Sequence, residues 1–282
     1  PKMPSGREIS VEFIREIVWP LLARRLPRDC DRLAVAVVGT GSDVAGLDDD
    51  ISRDHHWGPR ANVMVLPRDA ASLIPAVRNL LASALPAQFR GYPVATGLTI
   101  MAGVFCASVD QFFDYFLGTT ELPRTDLEWL GLCEVDLRHV TGGEVVIDGP
   151  GELTRRRAHL AYYPDNVWKK RIADWCMYIT GRDAPYNLHR VAKRDDALTG
   201  SIYKALYVKQ AMELCYMLNR EYAPYTKWLN RTYRNLPRFA ADVAPLLDAI
   251  HDEPDLRKNV HQMVDLNYAL GDAIGRRVRE VV

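Results

Sequence analysis

A glycine-rich turn after a short apolar run is the first feature of the sequence suited to chemistry. The run from Leu33 to Val38 leads directly into Gly39-Thr40-Gly41-Ser42. Glycine has no side chain to block the approach of a ligand to backbone amides, and the Ser42 hydroxyl adds a hydrogen-bond donor. Gly41 and Ser42 are therefore predicted to bind phosphate groups. The turn lacks the Gly-Lys-Ser/Thr sequence of a Walker loop and the third glycine of a dinucleotide-binding fingerprint.

Acidic and imidazole side chains follow this turn within a short stretch. Three consecutive aspartates at 48–50 precede Asp54, His55 and His56. In an extended segment Asp54 and His56 would lie on one face and His55 on the other. Such a pair could bind a divalent metal that bridges triphosphate oxygens, or could act as acid and base. The pattern predicts catalytic roles for Asp54, His55 and His56. It also predicts a metal site formed by Asp54, His56 and Asp50, although the aspartates at 48–50 could instead form a solvated turn.

Three basic residues are candidates for binding the anionic part of a ligand. Arg60 could reach the same ligand as Asp54, or pair with the acidic cluster. Lys227 lies in the aromatic segment 222–228, where it could neutralise a phosphate or belong to a helix start that packs on the core. Lys204 could face a ligand-binding crevice, or extend its apolar stem so that the ammonium group reaches solvent.

Hydrophobic spacing predicts the elements that position these residues in the first half of the chain. Apolar residues at i, i+3 and i+4 predict a helix from Ser10 to Arg25, with Ser10 as its N-cap. Short β-branched runs predict strands, and helical spacing returns after two of them. The predicted strands are 33–38, 61–66 and 103–109, and the predicted helices are 69–85 and 111–117. Gly142-Gly143 is predicted to be the turn of a β-hairpin between residues 138 and 148.

The second half of the chain has a different character. Gly149-Pro150-Gly151 is the best candidate for a domain boundary, because glycine and proline interrupt regular elements. Beyond it, helical periodicity dominates, with prolines between the segments. The predicted helices are 153–161, 165–180, 197–219, 225–235, 238–251 and 255–280. These patterns predict an α/β domain over residues 1–150 and a helical domain over residues 151–282.

Composition narrows the possible classes of protein. The 282 residues are 48% hydrophobic, with 36 basic and 36 acidic side chains and a formal net charge of zero. A neutral chain has no overall attraction to nucleic acid or anionic lipid, so any contact with a polyanion must come from a local patch. Five widely spaced cysteines are typical of reduced thiols, and no apolar stretch approaches the roughly 20 residues of a membrane span. We therefore expect a cytoplasmic protein.

The glycine-serine turn and the aspartate-histidine segment together resemble the nucleotidyltransferase superfamily. Gly41-Ser42 is followed by eleven residues and then by Asp54-x-His56. The superfamily pattern is Gly-Ser, a similar spacer, and Asp-x-Asp or Asp-x-Glu. Longer motifs at 52–60, 162–168 and 222–228 resemble an uncharacterised bacterial family that is catalogued as a domain of unknown function and grouped with the nucleotidyltransferases.

The resemblance implies a fold and a reaction. The fold would be α+β, with a nucleotidyltransferase-like small mixed sheet, flanking helices and a C-terminal all-α helical bundle. The reaction would transfer a nucleoside monophosphate from a nucleoside triphosphate, most simply ATP, to a hydroxyl or amine of a small molecule, with Mg²⁺ as cofactor. Carried over by position, Gly41 and Ser42 would bind phosphate, and Asp54 would be the first metal ligand.

Two departures from the superfamily pattern leave other functions open. His56 occupies the second carboxylate position, and residues 103–107 provide no match for the third. Because Mg²⁺ prefers oxygen ligands, these replacements should weaken a two-metal site. One alternative is metal-independent acid-base chemistry through His55 or His56, in a transferase, cyclase or lyase. Another is a non-catalytic protein that binds nucleotide or regulates a partner.

Overall fold

The computed structural model describes residues 4–53, 57–95, 103–182 and 185–280. The chain divides into two compact units. One contains Pro1–Arg124 and Gly131–Ala161, and the other contains Thr125–Leu130 and Tyr162–Val282. Strands and helices share the first unit, whereas the described part of the second unit is helical. The α+β class predicted from the sequence is confirmed.

The first unit is built from short strands separated by helices. Its α-helices among the described residues are α1 Gly6–Phe13, α2 Trp19–Arg25, α3 Ser42–Ala45, α4 Ala70–Ala84, α5 Val109–Leu117, α7 Glu134–Thr141 and α8 Glu152–His159. Helix α6, Asp126–Leu130, belongs to the second unit. Its strands are β1 Leu33–Val37, β2 Ala61–Val65, β3 Gln88–Phe89, β4 Tyr92–Pro93, β5 Val104–Ser108 and β6 Glu144–Asp148. A π-helical turn, Ile14–Val18, joins α1 to α2, and 3₁₀ turns lie at Cys30–Arg32, Ile51–Arg53 and Pro67–Asp69.

Strand pairing brings several chain segments to one end of the sheet. Among the described residues the main sheet has the order β5-β2-β1-β6, while β3 and β4 pair separately. Strand β1 is antiparallel to β2 and β6, and β2 is parallel to β5. The C-terminal end of β1 therefore lies beside the N-terminal ends of the other three strands. The glycine-serine turn leaves the sheet at this end, where the residues before β2 enter it.

The central strands are buried on both faces. All five residues of β1 and all five of β2 are buried, so these strands show no alternation of polar and apolar side chains. This explains why they appear in the sequence as continuous apolar runs. Asn62 in β2 differs from the other residues of these two strands, because it is polar although it is only 2% exposed. The predicted strands at 33–38, 61–66 and 103–109 are confirmed.

The first helix begins earlier than predicted. Ser5 is the N-cap of α1, and its side chain accepts the backbone N–H of Glu8 while the Glu8 carboxylate accepts the backbone N–H of Ser5. This capping box satisfies two backbone donors and fixes the helix start. The prediction that Ser10 is the N-cap is therefore wrong. Ser10 is fully buried one turn into the helix, where its hydroxyl lies 2.7 Å from the carbonyl oxygen of Gly6.

The predicted hairpin between residues 138 and 148 is also wrong. Residues 134–141 form α7, and β6 pairs with the distant strand β1 rather than with a strand directly before it in the sequence. Gly143, at φ 77°, turns the chain from the helix into the strand, so the glycine pair marks a helix end. The Arg157 guanidinium binds the carbonyls of this turn, donating to Gly142 at 2.7 Å and Thr141 at 2.8 Å. Burial lowers the pKa of Arg157 to about 10, and the charge of Arg7 adds to this effect.

The second unit is a set of packed helices. Besides α6, its α-helices among the described residues are α9 Asp165–Met177, α10 Tyr186–Ala192, α11 Ala197–Asn219, α12 Leu229–Tyr233, α13 Ala240–Asp252 and α14 Leu256–Arg279. A π-helical turn follows α9 at Tyr178–Arg182, and a 3₁₀ turn precedes α12 at Thr226–Trp228. The predicted helix over 225–235 is therefore a 3₁₀ turn and a short α-helix. None of the helices among the described residues combines the length and apolar character needed to cross a bilayer.

The first testable prediction concerns the acid sensitivity of the first unit. Hydrogen bonds from Arg155 and then Arg156 lower the pKa of Glu152 from 4.5 to about 2. A lowered carboxyl pKa stabilises the folded state above pH 4.5, and this stabilisation is lost as the pH falls towards 2. We expect wild type to be about 1–2 kcal/mol more stable than Glu152→Gln above pH 5, with the difference shrinking below pH 4. Urea denaturation at several pH values measures this.

The matched control for this prediction is Glu121→Gln, because Glu121 forms an exposed ion pair with Arg124 at 3.5 Å. Exposed pairs contribute little to stability, so the control should follow wild type throughout. A difference between wild type and Glu152→Gln that stays constant with pH would contradict the role given to the Glu152 charge.

Candidate functional site

The glycine-serine turn has a backbone conformation that requires glycine. Gly39 has φ 97° and Gly41 has φ 131°, both in the region that residues with a Cβ rarely adopt. The start of the turn is held from two sides. The Val38 N–H donates to the Asn62 side chain at 3.2 Å, and the Gly39 N–H donates to the His139 carbonyl at 3.2 Å. The turn is therefore fixed to β2 and to α7 before it reaches Ser42, the first residue of α3.

A buried ion pair supports the turn from beneath. Arg60 and Asp43 are each only 2% exposed, and the Arg60 Nη1 lies 3.4 Å from the Asp43 Oδ1. The same guanidinium donates to the carbonyls of Thr40 at 2.9 Å and Val38 at 3.4 Å. Arg60 thus pairs with Asp43 and with the backbone of the turn, rather than with the aspartates at 48–50. Its position makes it a support for the turn.

The pKa of Asp43 reflects the burial of this ion pair. Burial raises the pKa of the Asp43 carboxyl above its ordinary value, and the positive charge of Arg60 opposes that rise. The pair is therefore held together in a place where either charge alone would be costly. Ser10 adds a further connection, because its hydroxyl accepts the Arg60 backbone N–H at 3.3 Å. The first helix is in this way joined to the start of β2.

Sequence reasoning missed Asp43, Asn62 and Ser10 as parts of this arrangement. Asn62 carries the clearest signal, because it is a polar residue within an otherwise apolar strand, and such residues are buried only when hydrogen-bonded. Asp43 follows Ser42 directly, but the sequence does not reveal that its partner is Arg60, seventeen positions later. Ser10 looks like a helix cap in the sequence.

The three aspartates at 48–50 do not form one cluster. Asp48 Oδ2 accepts the backbone N–H of Gly6 and the indole N–H of Trp57, both at 2.8 Å. Asp49 accepts the Ser52 backbone N–H at 3.1 Å and so shapes a turn. Asp50, a predicted metal ligand, is 84% exposed and lies 3.7 Å from a guanidinium nitrogen of Arg53. Asp49 and Asp50 lie in a turn, as the alternative prediction expected, whereas Asp48 connects the turn to Gly6 and Trp57.

The predicted catalytic residues Asp54, His55 and His56 lie outside the described residues. The two residues that flank them contact each other, because the Arg53 guanidinium carbon lies 4.5 Å from the centre of the Trp57 ring. Trp57 in turn packs edge-on against Tyr92 with ring centres 4.9 Å apart. Both flanks of the 54–56 segment are therefore anchored in the first unit, close to Asp48.

The donor groups available to a metal are few in the part of the chain that the structure describes. Within it, no three His, Cys, Asp or Glu side chains come together as a metal site. Asp48 Oδ1 is buried without a hydrogen-bond partner, but one oxygen falls far short of the octahedral set that Mg²⁺ requires. Strand β5 carries no carboxylate, and burial raises the pKa of Cys106 to about 12, so its thiol stays protonated. These residues alone do not fit a magnesium site, which would depend on Asp54.

The two lysines proposed as ligand contacts lie in the second unit. Lys204 Nζ donates to the backbone carbonyls of His251 at 2.8 Å and Glu253 at 2.7 Å, at the C-terminal end of α13. Burial lowers the pKa of this lysine. Lys227 Nζ lies 5.3 Å from the centre of the Trp228 ring. Ligand contacts by these lysines, by Arg60 and by the turn at Gly41 and Ser42 stay predictions.

The aromatic motifs of the second unit pack against each other. The Tyr222 ring centre lies 5.0 Å from that of Tyr162 and 5.1 Å from that of Tyr163. Trp168 is fully buried, and its indole N–H donates to the Met217 carbonyl at 2.7 Å. The segments 162–168 and 222–228 therefore contribute to the core of the second unit, which gives their aromatic residues a structural reason to occur together.

Fold and site together define an α+β protein whose mixed sheet carries a glycine-serine turn at one end. The protein family described as "Domain of unknown function (DUF4037)" matches residues 129–229, which is less than half of the chain. The predicted resemblance to a family of unknown function is confirmed in part by this match, which does not test the motifs themselves. The motif at 52–60 lies outside it.

Comparison with solved structures gives a more distant similarity. The crystal structure of a nucleotidyltransferase-like protein from Exiguobacterium sibiricum 255-15 shares 11% sequence identity with this chain, with a TM-score of 0.42. The similarity covers 96% of this chain and 79% of that chain. A similarity this low defines neither an activity nor a ligand. Comparison with curated proteins gives no significant sequence match.

Proposed function

We propose that this protein is a nucleotidyltransferase-like enzyme that transfers a nucleoside monophosphate from a nucleoside triphosphate to a hydroxyl or amine of a small molecule. One observation carries the proposal. The antiparallel pairing of β1 with β2 brings the glycine-serine turn to the same end of the sheet as the segment that enters β2. Asp54, which matches the superfamily pattern together with Gly41 and Ser42, precedes β2 by seven positions in the sequence.

Rigid support of the turn is the second argument. A turn that binds phosphate through its amides must keep them fixed in the absence of ligand, because preorganised donors stabilise charge most effectively. The Asp43–Arg60 pair, the Asn62 side chain and the His139 carbonyl together hold the backbone from Val38 to Asp43. A solvated surface turn would not require a buried ion pair beneath it. This arrangement favours a ligand-binding function for the turn.

In the proposed reaction the substrate hydroxyl oxygen attacks the α-phosphorus of the nucleoside triphosphate. A new phosphorus–oxygen bond forms, the bond to the β-phosphate oxygen breaks, and pyrophosphate leaves. The turn at Gly41 and Ser42 binds the triphosphate oxygens, and the hydroxyl proton is released to solvent. Mg²⁺, where bound, neutralises phosphate charge, and Asp54 is the residue of this chain that would hold it.

The test of this proposal combines binding with turnover. We expect calorimetry to detect ATP binding in the presence of Mg²⁺, and a panel of hydroxylated and amino metabolites to give pyrophosphate release. Asp54→Asn should lower turnover by at least about 100-fold, the range typical of a lost catalytic group. Asp114→Asn is the matched control, because Asp114 is an exposed aspartate of α5 outside the predicted site, and it should leave turnover unchanged. Wild type that neither binds nucleoside triphosphates nor releases pyrophosphate would contradict the proposal.

The residues of β5 favour a second candidate function. This strand is parallel to β2 and carries Val104, Phe105, Cys106, Ala107 and Ser108, so it offers no third carboxylate. We propose as the alternative that the same pocket performs metal-independent acid-base chemistry through His55 or His56. Excess chelator separates the two, because it abolishes the first reaction and leaves the second unchanged. His56→Asp should raise metal-dependent activity, whereas replacing both His55 and His56 by alanine should abolish metal-independent activity.

A further inference from the structure

Asn62 in β2 has more hydrogen-bonding capacity than the glycine-serine turn uses. A side-chain amide carries one acceptor oxygen and one nitrogen with two N–H donors. The backbone N–H of Val38 requires an acceptor, so Oδ1 of Asn62 must face it, at 3.2 Å, and Nδ2 must point the other way. Within the part of the chain that the structure describes, Nδ2 donates to no protein acceptor.

The burial of Asn62 makes these two unused donors informative. The residue is 2% exposed, and the other four residues of β2 are apolar. Burying an amide costs free energy unless its polar atoms are hydrogen-bonded. Nδ2 is not one of the fully enclosed polar atoms without a hydrogen-bond partner among the described residues, so it borders space that a ligand atom can enter. The hydrogen bond to Val38 explains the oxygen of this side chain but not its nitrogen.

The neighbouring strand indicates where this space lies. Phe105 of β5 is the in-register partner of Asn62, so the two side chains lie on the same face of the sheet. Val104 and Cys106 belong to the apolar core on the opposite face and are buried, whereas Phe105 is partly exposed. The amide nitrogen therefore lies beside a less covered part of the sheet, at the end where the glycine-serine turn leaves β1.

The chemistry of this position favours an anionic oxygen as the ligand atom. The nitrogen of an amide donates and does not accept, so its partner must be an acceptor. The three adjacent strands β1, β2 and β5 carry no carboxylate that would repel an anion. The oxygen of the same amide is bonded one residue before Gly39, the first residue of the turn that is predicted to bind phosphate. Hydrogen bonds from N–H groups to charged oxygens are stronger than those between neutral groups.

We propose that Nδ2 of Asn62 donates a hydrogen bond to a phosphate oxygen of the nucleotide bound at the glycine-serine turn. This inference rests on the proposed function and adds a ligand contact from the sheet to those from the turn. One rigid amide then has two roles, because its oxygen holds the turn at Val38 and its nitrogen binds the ligand. The position of the turn is thereby linked to that of the phosphate.

Two substitutions separate these roles. Asn62→Asp has nearly the same shape and keeps an acceptor for the Val38 N–H, but it replaces the two donors with a negative oxygen. Asn62→Ala removes both functions. Calorimetry in excess chelator, where a new carboxylate cannot gain affinity through a metal, should show ATP and inorganic triphosphate bound about tenfold or more weakly by Asn62→Asp than by wild type, and more weakly than by Asn62→Ala. Asn79→Asp is the matched control, because Asn79 is exposed on α4, and it should bind like wild type.

The opposite order of affinities would overturn the proposal. If Asn62 only held the turn, Asn62→Asp would bind like wild type and Asn62→Ala would bind more weakly. Weaker binding of ATP with unchanged binding of inorganic triphosphate would also overturn it, because the contact would then be to the nucleoside. A wild type that binds neither probe removes the basis of this contact and of phosphate binding by the turn together, whereas the preceding two results leave phosphate binding by the turn intact.

A spectroscopic measurement on wild type keeps the proposal testable if Asn62→Asp does not fold. The side-chain amide resonances of Asn62 are identified in a two-dimensional NMR spectrum by their loss in Asn62→Ala. Addition of inorganic triphosphate should shift these resonances, because the new hydrogen bond changes the shielding of the amide protons. Resonances that stay in place while the triphosphate binds would overturn the contact.

Discussion

Replacement of Asp43 by alanine is expected to lower the free energy of unfolding by about 3–5 kcal/mol. The substitution leaves the Arg60 guanidinium buried without its counter-charge, at a position that is only 2% exposed. Removing one partner of a buried ion pair costs more than the pair contributes, because the remaining charge is not solvated. Urea denaturation followed by circular dichroism measures the loss.

Two further variants separate the effect of the Asp43 charge from the effect of its burial. Asp43→Asn keeps a hydrogen-bond acceptor and removes the charge, so its loss should be smaller than that of the alanine variant, and it remains measurable if Asp43→Ala does not fold. Asp50→Ala removes the same residue type from an exposed ion pair and should cost less than about 1 kcal/mol. Equal losses of unfolding free energy at positions 43 and 50 would contradict the role given to the buried Asp43–Arg60 pair.

The second large effect is expected from Gly41→Ala. The backbone at Gly41 has φ 131° and ψ 143°, a region open essentially to glycine alone, and this strain alone costs about 1–3 kcal/mol. A Cβ at this position would also collide with Asp43 Oδ1 and lie 3.0 Å from Arg60 Nη1. The methyl group must therefore displace the buried ion pair or the turn. We expect a total loss of about 3–5 kcal/mol of stability, together with loss of ATP binding.

A control and a double variant identify the source of this effect. Gly118 also has a positive φ, 66°, but a Cβ there would meet nothing within 4 Å. Gly118→Ala should therefore cost only about 1–2 kcal/mol, the strain of a left-handed residue. In the Asp43→Ala background the atom that Gly41→Ala strikes is absent, so the second substitution should cost less there than in wild type. Strictly additive losses would contradict a direct contact between the turn and the ion pair.

These variants also separate a role in folding from a role in ligand binding. A variant that remains folded at the temperature of the calorimetry experiment but binds ATP at least tenfold more weakly would support preorganisation of the turn as its function. A folded Gly41→Ala variant with unchanged ATP binding would contradict the proposed contact between the turn and phosphate, while leaving the stability argument intact.

The sequence predicted those elements whose formation depends on local pattern. Continuous apolar runs predicted the central strands, and the structure has β1 and β2 where both faces are covered. Helical spacing likewise predicted the long helices α4, α11 and α14, because one apolar stripe is enough to define such a helix. The Gly-x-Gly-Ser turn was recognisable because only glycine tolerates its backbone angles.

Errors arose where a local signal has two structural meanings. Gly142-Gly143 is typical of a hairpin turn and of a helix end, and the choice depends on the pairing of β6 with β1, a strand about one hundred residues earlier. Serine is a residue type preferred at N-caps, which favoured Ser10, but the reciprocal hydrogen bonds of Ser5 and Glu8 place the helix start ahead of it. In both cases the decisive contact involves residues outside the window that carries the signal.

The glycine-serine turn and its position directly after a buried strand were determined by the sequence itself, since backbone angles and strand burial depend on residue type. The tertiary structure alone decided that Arg60 supports this turn, that Asp43 rather than the aspartates at 48–50 is its partner, and that Asn62 holds the turn to β2. The physical reason is that ion pairs and side-chain hydrogen bonds are non-local. Their partners are chosen by strand register and burial, which no short stretch of residue types specifies.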